Sequence, residues 1–194
     1  MPRDVRKATQ EGSKLDSAAW VQEALNVLAA SGVDGVRVEI MARTLGVTKG
    51  SFYWHFKDRS ELLDRVLQEW RRRATLAIIE RLENSHESPE RRLQRLLRLP
   101  LEARGAEAGA EIELSVRLWG RYDERALAVL REIDELRLKY IARLLEELGA
   151  TKTEANARAI LVYSYMRVSR SLISANNKAT MQVCETILMG RSGR

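Results

Sequence analysis

The sequence predicts an all-α protein, with an N-terminal three-helix unit containing a helix-turn-helix and a larger antiparallel helical domain behind it. Three observations carry this expectation. Only 3 of the 194 residues are proline, and Leu, Ala, Glu and Arg, all good helix formers, are abundant. Apolar residues recur at spacings of three and four along almost the whole chain, the period of one helix face. Residues that start and stop helices punctuate that pattern at regular intervals.

Residues 1–15 are polar, with Arg3, Arg6, Lys7 and Lys14 partly offset by Asp4 and Glu11, and read as a mobile arm. The first helix begins at Asp16, a capping residue, carries Trp20, Ala24, Leu25 and Leu28 on one side, and ends at Gly32. Val38 to Leu45 is a second, short helix, and Thr48 to about His55 a third. Asp58 with Glu61 three residues on is a capping box, which starts a fourth helix running to about Glu83 with Leu63, Val66, Leu67, Trp70, Ala74 and Ala77 at helical spacing. Ser88 and Pro89 start the next helix. A stretch rich in Gly and Ala, 105–110, leads into Ile112, Val116 and Trp119. Asp123 caps a long helix that Gly149 ends, Thr151 and Glu154 form a second box opening a helix to about Ser174, and Asn177 caps the last one, to Met189. The expected total is roughly nine helices.

Composition narrows the class. With 45% hydrophobic and 31% charged residues the chain is a folded globular protein, not a disordered one. Its formal net charge of +6 makes polyanions plausible partners without selecting one. The lone cysteine, Cys184, excludes an internal disulfide and suits a reducing compartment. No apolar leader is visible, and the longest apolar run, Ala159 to Met166, is far too short to span a bilayer. The expectation is therefore a cytoplasmic protein with no membrane partner.

The informative segment is 38–56. Two short helices that cross steeply need a small residue where they approach, and Ala42 supplies it. The tight turn between them needs a residue that accepts positive φ, and Gly46 supplies that. Met41, Leu45, Val47, Phe52 and Phe56 are spaced to form a small core, while Thr48 can cap the third helix with its hydroxyl. On a helical wheel Phe52 and Phe56 share the buried side. The opposite side shows Gly50, Ser51 and Trp54, flanked by Tyr53 and His55. Large aromatics on an exposed face suggest a partner. Thr48 and Ser51 suit phosphate oxygens, Gly50 permits close approach to a groove, and Lys49 can reach a guanine edge or a phosphate. Against this stands the plainer reading that Trp54 packs on the fourth helix. A metal role for His55 lacks companions, since His86 is the only other histidine. Arg71, Arg72 and Arg73 read as a solvated helix face.

These residues resemble the N-terminal signature of the TetR family of bacterial repressors. The match runs through Met41, Ala42, Leu45 to Phe52, Tyr53, His55, Phe56, Arg59 and Leu62, and is dense across about 18–63. The resemblance implies that Thr48, Lys49, Ser51, Tyr53, Trp54, His55 and Arg59 face double-stranded operator DNA. Arg59 stands where the family usually has lysine. Arg37 stands where it usually has a capping Thr or Ser, so the cap is lost but a cation remains for the phosphate. The resemblance divides the chain into an arm (1–15), a DNA-binding domain (16–60) and an effector-binding and dimerisation domain (61–194).

The large domain has its own signals. The helix after Thr151 has a polar stripe of Ser164, Arg167, Ser171 and Ser174, and is apolar around most of its remaining surface; the last helix has two apolar stripes. Helices apolar on two sides must be covered on both. A twin subunit meeting Leu161, Tyr165, Val168, Leu172, Val183 and Ile187 is the simplest solution, a homodimer; two central helices in a monomer is the alternative. Glu113, Arg117, Trp119, Tyr122, Tyr163 and Met166 are candidates to line a pocket for a small-molecule effector of unknown identity. A structural ion pair and a core tryptophan are the favoured reading of Arg117 and Trp119. No cofactor, metal set or nucleophile–base pair is visible, so an enzyme is the weaker reading. A regulator that needs no small molecule, or answers to a protein partner, stays open.

Overall fold

The computed structural model describes residues 16–102, 106–173 and 177–190. The arm expected over 1–15 lies outside the described residues, as does Ser174. Among them the fold is entirely helical: α1 (Ser17–Ser31), α2 (Val38–Thr44), α3 (Lys49–Tyr53), α4 (Arg59–Arg71), α5 (Ala77–Glu83), α6 (Pro89–Glu102), α7 (Ala106–Trp119), α8 (Glu124–Glu147), α9 (Lys152–Leu172) and α10 (Lys178–Leu188). The expected caps at four starts are made by side chains. Asp16 accepts from the Ala19 amide, Asp123 from Arg125 and Ala126, Thr151 from Glu154, and Asn177 from Thr180. At α4 the box closes one residue early. Asp58 accepts from the Glu61 amide at 3.0 Å, but Glu61 reaches back to the Lys57 amide at 2.7 Å.

The expected fourth helix is not uniform. Between α4 and α5 the ladder widens into a π-turn, Arg72–Leu76. Its cause is a side chain entering from α8: the Arg137 guanidinium donates to the Ala74 carbonyl at 3.1 Å and to the Thr75 hydroxyl at 3.0 Å. A run of apolar residues at the right period cannot signal this, because the guest comes from 62 residues away.

Two apolar cores result. Trp20, Ala24, Leu25, Leu28, Met41, Phe52, Leu62 and Val66 fill the first, and Val116 and Trp119 of α7 and Ala126, Leu130 and Ile133 of α8 belong to the same cluster. The N-terminal unit is therefore completed by the body behind it. The second core joins α5, α6, α8, α9 and α10 through Leu93, Leu97, Ile141, Leu144, Leu145, Ala159 and Val162. The 24 residues of α8 rise ~36 Å, enough to serve both cores in turn. α10 is pinned from below, where the buried carboxylate of Glu185 accepts two hydrogen bonds from Arg98, at 2.7 and 2.9 Å.

Candidate nucleic-acid interface and cavity

The helix-turn-helix unit is built as its sequence requires. The chain leaves α2 through Gly46 at φ +68°, and the Val47 amide returns to the Ala42 carbonyl at 3.0 Å. Ala42 is buried at the crossing. Phe52 is fully buried, edge-on to Trp20 at 5.3 Å and stacked with Phe56 at 5.3 Å, which anchors α3 by one side only. The side that remains carries Thr48, Lys49, Gly50, Tyr53 and Trp54, all exposed, with Ser51 and His55 half-buried at its margins. Tyr53 is 54% and Trp54 73% exposed.

Gly50 needs no special backbone, and a methyl group there would meet nothing nearer than the Thr48 hydroxyl at 3.6 Å. The fold itself therefore gives no reason for glycine at this exposed position. Lys49 is held by Glu39 of α2; the contact raises the Lys49 pKa and lowers that of Glu39. Nothing in the α3 pattern alone discloses that partner, although an acid ten residues upstream on the facing helix was available to find.

One expectation for this unit changes, the Thr48 cap, and Arg59 and Arg37 each gain a backbone partner. Thr48 occupies the N-cap position of α3, but its side chain makes no capping bond. At the α3 start the Ser51 amide donates to the Thr48 carbonyl at 3.0 Å instead. Arg59 is exposed, with part of its guanidinium engaged by the backbone. Its guanidinium donates to the carbonyls of Val36 at 2.6 Å and Val33 at 2.5 Å, tying the start of α4 to the turn between α1 and α2. Arg37 is exposed at the N-cap of α2 with no side-chain cap, its Nε on the Asp34 carbonyl at 3.2 Å.

Behind this unit lies a cavity of about 610 Å³ between α4, α5, α6, α7, α8 and α9. Of the six candidate lining residues, Glu113, Arg117, Tyr163 and Met166 line it. Trp119 does not: it is 5% exposed and packs in the first core, because it lies two residues past Arg117 on α7 and faces α8. Tyr122 is 87% exposed, in the turn before α8. Trp119 is thus a core residue and Tyr122 a surface one.

The polar side of the cavity is a network of arginines around one carboxylate. Glu113, 6% exposed, accepts from Arg137 at 3.0 Å on each oxygen, from Arg117 at 2.9 Å and from Arg167 at 2.9 Å. Burial alone would push its carboxyl up, but the three guanidiniums outweigh it and hold the pKa at about 2. Asp134 pairs with Arg117 at 2.7 Å and accepts the Tyr163 hydroxyl at 2.6 Å. Burial raises the Tyr163 pKa, so the ring keeps its proton. Arg137 and Arg167 were missed as wall residues. The signal for Arg137 was present: Leu130, Ile133, Arg137, Ile141 and Leu144 follow one stripe of α8, and an arginine there occupies a core position.

Six residues were expected at a subunit interface. Leu161, Val168 and Leu172 on α9 and Val183 and Ile187 on α10 are all large apolar side chains about half exposed or more, with Tyr165 half-buried between them. They line one face of two adjacent helices, while Ala155, Ala159, Val162 and Tyr163 face inward. No helix among the described residues is long and apolar enough to cross a membrane.

Residues 21–66 match the family model for bacterial regulatory proteins of the tetR family. Over 47 residues the chain is 43% identical to the HTH-type transcriptional regulator SrpR of Pseudomonas putida, a match covering 24% of this chain and 22% of that one. A second relative, the class A tetracycline repressor protein from transposon 1721 of Escherichia coli, is 36% identical over 56 residues, 29% of this chain and 26% of its own. The matches thus span about a quarter of these relatives. In fold the likeness is wider. A transcriptional regulator from Rhodococcus sp. Rha1 superposes with a TM-score of 0.68 at 22% identity, over 91% of this chain and 95% of the other. A regulator from Saccharomonospora viridis in complex with choline gives 0.71 at 16% identity, over 89% and 92%.

Proposed function

We propose that this chain, by its residues 21–66 a member of the TetR family of bacterial regulatory proteins, is a dimeric sequence-specific DNA-binding regulator, a repressor released from its operator by a small-molecule effector. The observation that carries the reading is the α3 face, where Tyr53 and Trp54 stand exposed beside Lys49 and Gly50 on a helix whose other side is clamped under Trp20. A folded protein that keeps two large aromatics and a lysine on one bare patch needs something to place them against. A major groove meets that need. Lys49 takes a base edge or phosphate, the hydroxyls of Thr48 and Ser51 take phosphates, and Gly50 lets the backbone approach. Arg59 acts by positioning α4 rather than by contact, and Arg37 and His55 flank the site. Residues 16–60 form the reading head and 61–194 the body.

The body supplies the second copy. The stripe Leu161, Tyr165, Val168 and Leu172, continued by Val183 and Ile187, is covered by the same stripe of a twin about a two-fold axis. Two heads then read half-sites centred ~34–36 Å apart, or a multiple of one helical turn. Coupling runs through α7, which carries Glu113 and Arg117 in the cavity wall and, interleaved with them, Val116 and Trp119 in the head's core. It also runs through the π-turn, whose Arg73, Ala74 and Thr75 line the cavity directly below α4. A neighbour of the same fold holds choline, which supports a ligand role for the cavity here. A tenfold to hundredfold response needs ~1.4–2.8 kcal/mol of coupling. Fluorescence anisotropy on DNA selected from a random pool tests the reading. Tyr53→Ala with Trp54→Ala, folded by circular dichroism, should lose specific binding; full retention would reject the face.

A further inference from the structure

The charge and hydrogen-bond balance of the cavity points to the chemistry of its ligand. Arg117, Arg137 and Arg167 face only two carboxylates, Glu113 and Asp134, in the shared network. One oxygen of Glu113 is asked to serve all three guanidiniums, more donors than its lone pairs accept well. Two donors at the same wall are left over. The Nε of Arg167 and the Nε1 of Trp70 are both buried with no acceptor among the described residues. Donors in excess and one surplus positive charge, in a low-dielectric pocket, call for an acceptor that carries negative charge. The remaining wall is apolar, through residues such as Ile78, Ile79, Leu99 and Met166. Its volume of about 610 Å³ lies within the ~300–1,000 Å³ range of small-molecule sites.

We propose that the cavity takes an amphipathic organic anion, a carboxylate head seated against Arg167 and Arg117 with an apolar body over Ile79, Leu99 and Met166. The head gives the guanidiniums of Arg167 and Arg117 a second acceptor and relieves the crowded Glu113 oxygen. A cationic head would meet three guanidiniums, and a neutral one would leave the surplus charge unpaired. The identity of the ligand class deepens the regulator reading above, but the binding step is measured without DNA.

Calorimetry on the full chain with decanoate and decyltrimethylammonium below their micelle concentrations, and decan-1-ol below its solubility limit, tests it. Decanoate should bind roughly ten- to a hundredfold more tightly than the alcohol, with the cation weakest. Arg167→Met should remove that preference and Arg167→Lys keep most of it. Ile79→Trp, which fills the apolar end, should abolish decanoate binding. If Arg167→Met does not fold, the ranking of the three probes on the unaltered protein decides. The alcohol or the cation binding as tightly as decanoate, no binding at millimolar decanoate, or unchanged binding in Ile79→Trp would each overturn the site. Decanoate that binds as described yet leaves DNA affinity unchanged would instead remove effector control and leave the anion site standing.

Discussion

Replacing Glu113 by glutamine removes the anion that three guanidiniums share while keeping the size of the side chain. The structure sets the magnitude. Lowering a carboxyl from 4.5 to about 2 on folding corresponds to about 3 kcal/mol of stability. The group is depressed, so that contribution is complete above pH 4.5 and is lost as pH falls toward 2. At pH 7 the variant should be less stable by ~3–5 kcal/mol, the usual cost of leaving buried charges unpaired. For a chain of 194 residues a loss of 3 kcal/mol lowers Tm by roughly 6–12 °C. Urea denaturation of both proteins at one concentration, followed at pH 7, 4.5 and 3.5, reads the difference directly. The gap should hold from pH 7 to 4.5 and narrow by about 1 kcal/mol at pH 3.5. A variant within ~1 kcal/mol of the parent at pH 7, or a gap that ignores pH, would refute the account of the network.

Gly50→Ala should raise stability by ~0.5–1 kcal/mol, since the site is open and helical, yet weaken DNA binding; a gain in both would show that no groove approaches Gly50. Glu39→Gln releases Lys49 and should tighten DNA binding with a steeper loss on adding salt, measured as the slope of log affinity against log salt. An unchanged slope would mean that Lys49 keeps its distance from phosphate. Val168→Glu with Leu172→Glu should convert the proposed dimer into a monomer by sedimentation, because burying the charges costs several kcal/mol. A parent chain that sediments as a monomer at micromolar concentration would remove the interface outright.

The head was legible in the sequence because its rules are local. Ala42, Gly46, Phe52 and Phe56 each answer a requirement set within a few residues, and the helix starts at Asp16, Asp58, Asp123, Thr151 and Asn177 do the same. The bare stripes of α9 and α10 could also be read, since period alone separates one face from another. What escaped depends on distant partners. Arg59 looks like an outward cation until Val33 and Val36 bring their carbonyls to it across more than twenty residues. Trp119 could be read either as a pocket aromatic or, as favoured, a core residue, and only the packing of α8 over it decides. The arginine network could not be assembled from spacing, because its members lie on α7, α8 and α9 and meet only in the folded bundle.

The central claim is that two α3 faces of a dimer read successive turns of DNA. Footprinting on the sequence enriched from a random pool tests it most directly. The account expects a palindrome with protected half-sites centred ~10–10.5 base pairs apart, or a multiple of that. It also expects protection to vanish in the folded Tyr53→Ala and Trp54→Ala double variant. Protection of a single unpaired site, or a footprint that the double variant leaves intact, would contradict it.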